Sequence, residues 1–399
     1  VYCVIRDHLG PEKYQAARAN EAVAAALVHD LGHGPFSHSF EDVGRRLNLK
    51  MADHEKVSDA LIRDSEITVA LNVLGSGFAN DVADIIASDT PGNIYGAVVS
   101  SQFDADRLDY MRRDRLMTGT HHGAIDFEWL VANLTVGDVP SGVDEEALGS
   151  LETFVLGTKA IYAAETYVIG LFQLYPTVYF HKATRGAEKI FTELLVRVFH
   201  LIVDASIMRS GLPAKHPLVR FARKPDRMEN ALHLDDTVIW GALTLLAEAK
   251  DPVICDLARR LRDRKLYKSI DVREEVKKRL GLEDLADGGR TIDRACASIR
   301  EKVNEWVSEQ DTGCPRILAD QEVRKPYKQI QESKGPLNQI RIMTRSGKLV
   351  DLGERSKVVG AIEPFQLYRL YVPEEDDEAR AFVDKLINKE LEHGENFEK

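Results

Sequence analysis

The sequence predicts a mainly α-helical protein that closes with a small α+β region. Apolar residues recur at spacings of three and four through most of the first 310 residues, which is the period of a helix face. Glycine, proline and short polar residues interrupt that period where helix ends are expected. After residue 320 the pattern turns to β-branched and aromatic runs around a hairpin dipeptide, Ser346-Gly347. A chain of 399 residues has room for two or three domains, and the changes of pattern divide it into 1–135, 150–315 and 320–399.

In chain order, Glu21 to Leu31 reads as a helix through Val23, Ala26, Leu27 and Asp30, ended by Gly32, Gly34 and Pro35. A second helix runs from Ser37 to Leu47, and two more lie between His54 and Ile86. Ser100 or Ser101 is placed to cap a helix carrying Phe103, Asp106, Tyr110 and Asp114. Gly137 to Gly149 reads as a long loop. Two long apolar helices follow, Leu151 to Leu174 and Thr177 to Val203, with Pro176 breaking between them. The helical period continues through Asp235 to Ala249, Asp251 to Lys268, Arg273 to Leu280 and Ile292 to Gln310. In the tail, Gln339 to Thr344 and Lys348 to Leu352 flank Ser346-Gly347, and Phe365 to Val372 adds a strand to the same small sheet. A helix near Asp376 to Leu391 packs beside it, its start marked by the acidic cluster Glu374 to Glu378.

With 64 acidic and 53 basic residues the net charge is −11, which weighs against bulk electrostatic binding of nucleic acid. No apolar run approaches the roughly 18 residues that cross a bilayer, so no membrane partner is expected. Cys3, Cys255, Cys296 and Cys314 are far apart and form no CxxC spacing, which argues against a disulfide framework or a thiolate zinc site. A reducing, cytoplasmic setting is expected. Val1 to Ile5 lack the features of a signal peptide, and the chain is expected to begin inside an element, with residues upstream.

The residues that carry chemistry are concentrated in two strings. His29-Asp30-Leu-Gly-His33-Gly-Pro-Phe-Ser-His38-Ser-Phe-Glu41 places three histidines and two carboxylates within thirteen residues, around a Gly-Pro break. Imidazole nitrogen and carboxylate oxygen ligate the same borderline cations, and adjacent donors reach one ion where a helix end is distorted. One His-Asp pair leaves such an ion under-coordinated. Phe103-Asp104-Ala-Asp106-Arg107-Leu-Asp109-Tyr110-Met-Arg-Arg-Asp114 offers further donors, with Asp106, Tyr110 and Asp114 on one helix face at i, i+4 and i+8. A face of that kind suits a metal followed by a sugar.

Together these strings resemble the HD-domain phosphohydrolases, specifically their deoxynucleoside triphosphate triphosphohydrolase branch. The likeness is best over residues 20–130 and looser through Tyr179-Phe-His181-Lys182, Leu234-Asp235-Asp236 and Arg264-Lys-Leu-Tyr-Lys268. It implies an HD-domain helical core in 1–135, N-terminally incomplete, a helical region in 150–315 that completes the active site and carries an oligomer interface, and an α+β region in 320–399. It makes His29, Asp30 and Asp106 ligands of one divalent transition ion, Mn, Fe, Zn or Ni, with Mg on the triphosphate. The family's remaining histidine ligand is expected immediately upstream of residue 1. His8, 21 residues before His29 and among the wrong neighbours, is read as a surface histidine.

The resemblance further implies that His33, His38 and His54 surround the triphosphate and scissile bond, with Glu41 orienting one of them. Imidazoles there offset phosphate charge and can give a proton to a departing sugar oxygen. Arg107 is implied to add positive charge, Tyr110 and Asp114 to meet the deoxyribose, and Tyr179 to close against the 2′ carbon. Tyr175 stands where relatives carry a substrate-facing histidine, and Leu171 stands at an arginine position. By looser alignment Lys159, Lys182, Arg264 and Lys268 match positions that hold a nucleotide effector between subunits. The expected partners are therefore a dNTP substrate, a nucleotide effector and further copies of the chain, as a dimer or tetramer. The apolar surface between Tyr162 and Val203 is a second reason to expect assembly. Two other readings start from the same pair: another HD phosphohydrolase acting on different nucleotides, and a non-catalytic nucleotide sensor.

Overall fold

The computed structural model describes residues 2–88, 93–140, 150–281, 289–310, 313–327 and 339–394. Helices dominate, and the described residues divide into two compact units that are not serial in sequence. The first unit takes 1–33, 53–179 and 324–365, and the second takes 34–52, 180–323 and 366–399. This differs from the serial division expected from pattern changes, because elements far apart in sequence share cores.

In the first unit the helix Ala16–Val28 buries Ala19, Ala22, Ala25 and Val28, a face of small residues. The expected helix is present, but its buried face is not the expected one: Val23 and Leu27 are 50% and 81% exposed. Alanine side chains let neighbouring elements approach closely, and Ala25 and Val28 pack with Ile62, Phe78 and Val82. The helix Ala105–Thr118 is capped by Asp104, whose carboxylate accepts from the Arg107 amide at 2.7 Å, rather than by Ser100 or Ser101. Ile161–Leu174 supplies the centre of the larger core, burying Ala164, Tyr167, Val168, Leu171 and Leu174.

Three sequence expectations are corrected here. Gly137 to Pro140 belong to a strand, β1 (Leu134–Pro140), and 141–149 lie outside the described residues. Leu151 to Leu156 form not the start of a helix but β2 (Ser150–Gly157), antiparallel to β1 with Val136 opposite Phe154. A short apolar run fits a strand as well as a buried helix turn, and Thr153, Phe154 and Val155 favour the strand. The chain at Pro176 does not simply break: Tyr175–Tyr179 forms a π-helical turn directly after the helix Ile161–Leu174.

In the second unit the helix Lys182–Val203 forms the middle of the core, burying Ile190, Phe191, Leu194, Leu195, Val198, Phe199 and Ile202. The apolar face of this helix is therefore buried within its own unit. The expected helix at Asp251 ends at Arg262, because 268–271 form the strand β3 (Lys268–Asp271). β3 pairs with β7 (Phe365–Val372), Ile270 opposite Leu370, and β4 (Leu318–Arg324) lies on the other side of β7. The helix Asp377–Gly394 packs Ala379, Val383 and Ile387 into the cluster with Leu370 and Val372.

The Ser346-Gly347 hairpin is present as β5 (Arg341–Met343) and β6 (Leu349–Asp351), but it belongs to the first unit's sheet, ordered β1-β2-β5-β6. It does not join β7, because β5 pairs parallel to β2 with Leu156 opposite Ile342. No single helix among the described residues is long and apolar enough to cross a membrane.

The second unit contains a buried ionic network. Arg185 donates to both oxygens of Asp320, Nε at 2.9 Å, and also to Glu188 at 3.0 Å and Glu322 at 3.2 Å. The Asp320 side chain has no exposed surface, and Lys189 lies 3.2 Å away. Burial pushes the Asp320 pKa up, but Arg185 and Lys189 outweigh it, and the net direction is down. Asp320 thus contributes stability that is full above the unfolded carboxylate value near about 3.9 and is lost as pH falls through the lower folded value. Asp320→Ala is expected to cost about 3–5 kcal/mol, since it leaves Arg185 partly unpaired in the interior. Urea unfolding checks this, and a change below about 1 kcal/mol would show the pair to behave as a surface one.

Candidate metal centre

The helix Ala16–Val28 ends where the first functional side chain begins. His29 is its C-terminal flank, and the chain continues through turns in which the Leu31 amide donates to Val28 and the His33 amide to Asp30. Leaving the helix here turns two adjacent side chains toward one point. His29 Nε2 lies 3.2 Å from Asp30 Oδ2 and 3.9 Å from Asp106 Oδ1. One donor atom from each of the three residues falls within 4.8 Å of the others.

The tautomer of His29 is set from behind. Its Nδ1 is 3.1 Å from the Ala26 carbonyl, a contact that requires Nδ1–H and leaves the Nε2 lone pair for a cation. Ser58 fixes the turn itself. Its hydroxyl donates to the His29 carbonyl at 2.8 Å and accepts from the Gly32 amide at 2.9 Å. Gly32 has no alternative at this position: a Cβ would sit 2.3 Å from the His54 carbonyl and 2.5 Å from the Ser58 amide.

Asp106 arrives from the first turn of Ala105–Thr118. Burial raises its pKa, against the pull of His29, and the nearby Asp30 charge raises it further. The Asp30 carboxyl is held well below its ordinary value, chiefly by hydrogen bonding to His29 and then to His33, 3.5 Å away. Two carboxylates facing one point with a lone-pair nitrogen fit a borderline divalent ion in charge and donor type. Asp104, only 6% exposed, is pushed up to about 6 by burial even though Arg107 lies 3.4 Å away. Arg107 is thereby drawn toward its own helix cap.

The remaining expected residues of the first unit fall in two groups. The His33 and His54 rings stack at 4.0 Å and 12°, with His54 at the start of the helix His54–Arg63, capped by Asp53. Further along Ala105–Thr118, Asp114 accepts from the Tyr179 hydroxyl at 2.7 Å, and Tyr110 meets the Tyr179 ring edge-on at 6.2 Å. Burial, and then this bond to Asp114, push the Tyr179 pKa up, so its hydroxyl stays a donor. Tyr175 lies 6.0 Å from Tyr179, and both stand on the π-helical turn.

His38 and Glu41 belong to the second unit, where Glu41 Oε2 is 3.0 Å from His38 Nδ1. The segment before them is strained, with Phe36 and Ser37 at φ +58° and +51°. Asp236 holds it by accepting from the Phe36 amide at 2.8 Å, and the Phe36 ring packs edge-on against Phe191 and Trp240. The four residues expected at an effector site do not gather within one unit: Lys159 is in the first, while Lys182, Arg264 and Lys268 are in the second. All four are exposed, and Lys268 pairs with Glu374 at 3.1 Å. His8 is exposed, 3.2 Å from the Thr135 hydroxyl. Sequence reasoning missed Ser58 and the cap role of Asp104. Ser58 leaves no signal in the sequence, whereas Asp104, three residues before Arg107, is an ordinary capping pattern.

Residues 5–111 match the HD domain family. This segment is an HD domain. The matched span contains the His29-Asp30 pair and Asp106. The chain is 32% identical to the uncharacterized protein YwfO of Bacillus subtilis over 263 residues, which is 66% of this chain and 56% of YwfO. It is 25% identical over 260 residues to the deoxynucleoside triphosphate triphosphohydrolase SAMHD1 homolog of Dictyostelium discoideum, covering 62% of this chain and 43% of that protein. The chain thus spans about half the length of these relatives. A crystal structure of a phosphohydrolase from Bacteroides thetaiotaomicron superposes with a TM-score of 0.64 over 90% of this chain and 81% of its own, at 23% identity, a likeness of fold.

The HD domain is expected to hold one divalent ion per chain, lost in Asp106→Asn. Hydrogen bonding to Asp30 holds the His29 pKa above its ordinary value, so protons compete with the ion at a higher pH than at a free imidazole near about 6.5. Metal affinity should fall steadily as pH drops through and above that value. Elemental analysis after dialysis at graded pH measures this, and metal content indifferent to both pH and Asp106→Asn would place the ion elsewhere.

Proposed function

We propose that the HD domain hydrolyses deoxynucleoside triphosphates to the deoxynucleoside and inorganic triphosphate. The observation that carries this reading is the pairing of Asp114 with Tyr179 on the same helix that presents Asp106. One helix thereby carries a metal-type carboxylate, Asp106, then Tyr110 one turn on and Asp114 two turns on, and the π-helical turn brings Tyr179 against both, a face suited to a sugar. The similarity to a triphosphohydrolase homolog supports the same choice of substrate.

His29, Asp30 and Asp106 would hold the ion, which supplies charge stabilisation at the α-phosphate and a more acidic water. The chain's own groups do the rest. His33 and His54 present stacked imidazoles as donors to phosphate oxygens. Water attacks the α-phosphorus, the bond from phosphorus to the 5′ oxygen breaks, and His54 gives a proton to that oxygen. Asp114 accepts from the 3′ hydroxyl, while the Tyr110 and Tyr179 rings crowd the 2′ carbon and disfavour a ribose hydroxyl.

Product analysis with a dNTP panel is expected to give triphosphate and deoxynucleoside; orthophosphate or pyrophosphate release would refute the reaction assigned. His29→Ala and Asp30→Ala should abolish turnover without unfolding the protein, and His8→Ala should leave it unchanged.

Asp114→Ala is expected to lower kcat/KM for dGTP by about tenfold to a hundredfold, the worth of a hydrogen bond to a charged group. Tyr179→Ala should narrow the preference for dGTP over GTP. Equal turnover of the two nucleotides by the unaltered protein would remove the sugar-binding role of these residues.

A further inference from the structure

The second unit carries a concave basic site that shares no residue with the HD motif. Arg220, Arg223, Lys224 and Arg227 line a cavity of about 290 Å³, with Glu229 and Asn230 completing much of its wall. Arg220 and Arg223 stand three apart in the last turn of the helix Pro217–Arg223, Lys224 is its C-terminal flank, and Arg227 caps the short helix Met228–Ala231 that follows, so the cavity is closed by the turn between the two. Four cations and one carboxylate leave a local charge of +3 in a chain whose net charge is −11.

Basic residues at a helix C-terminus commonly do no more than offset the exposed carbonyls. Here the carbonyls of Arg220, Phe221 and Lys224 are already taken. The Lys224 amide donates to Arg220 and Phe221 at 3.1 and 3.0 Å. The amide of Asn230, which is only 9% exposed, donates to the carbonyls of Lys224 at 3.0 Å and Arg220 at 3.4 Å. Asn230 thereby folds the loop back and holds its cations beside those of the helix. Among the described residues the only ion pair made by these four is Arg227 with Glu229, at 3.2 Å. Arg220, Arg223 and Lys224 are exposed, gather like charge on one cavity and make no ion pair among the described residues. Such crowding is unfavourable unless an anion enters.

We propose that this cavity binds the phosphate chain of a small oligophosphate. Guanidinium groups bind phosphate oxygens through paired N–H donors, and three or more cations around one concavity match several adjacent phosphates better than a single one. The lining contains no aromatic side chain on which a base could stack. Inorganic triphosphate and the phosphates of a nucleoside triphosphate are therefore equivalent ligands here, and the base adds nothing. The site stands apart from the proposed hydrolysis and does not depend on it.

The test is isothermal titration of the whole chain in chelator, with inorganic triphosphate as probe. Arg220→Gln combined with Arg223→Gln should remove one binding site per chain, or weaken it by at least about tenfold, with an unchanged thermal unfolding midpoint. Should the double variant fail to fold, Lys224→Gln alone serves, with a smaller loss expected. Triphosphate and dATP should bind this site within a few-fold of each other, and dAMP much more weakly. Binding unaffected by the substitutions, or absent from the wild-type chain, would overturn the proposal. So would oligothymidylate binding that is lost in the double variant and tightens with strand length, since that would make the face a nucleic-acid surface.

Discussion

The two hydrogen bonds of Ser58 are the constraint on which the candidate centre depends. A helix that simply continued past Val28 would carry His29 and Asp30 about 100° apart around its axis. By donating to the His29 carbonyl and accepting from the Gly32 amide, Ser58 holds the chain in a turn. Both side chains then address one point. The turn also fits so tightly against the start of the next helix that only glycine can occupy position 32. Ser58 is fully buried, so neither bond is exchanged with water.

The same economy governs the third donor of the cluster, Asp106. Asp106 stands in the first turn of its helix because Asp104 takes the cap, and burial of Asp104 ties up Arg107 beside it. A cap residue thus fixes both a carboxylate and a cation. Two turns later Asp114 meets Tyr179 on a π-helical turn, where the extra residue per turn redirects side chains that a regular helix would point elsewhere. His29, Asp30 and Tyr179 are placed by irregular backbone, while Asp106, Tyr110 and Asp114 stand on the regular helix they are brought to meet. The second unit follows a similar rule at His38, which follows two residues at positive φ held by Asp236.

Much of this was legible in the sequence. The period of three and four, the Gly-Pro break and the two strings of His, Asp and Tyr determined the helical class, the metal-type donor set and the candidate sugar face, because those signals are local and reside in residue type. Helix ends marked by capping residues were legible for the same reason. Tertiary structure alone decided the rest. Which face of Ala16–Val28 is buried could not be read from hydrophobicity, since the packing partners Ile62, Phe78 and Val82 select the small alanine face over Val23 and Leu27. Leu151 to Leu156 became a strand because β1 and β5 lie on either side to satisfy its backbone, a pairing across nearly two hundred residues that no local pattern records. The division into two units interleaved in sequence and the role of Ser58 have the same origin. Each depends on groups distant in sequence meeting in space, and their energies exist only once the chain has folded.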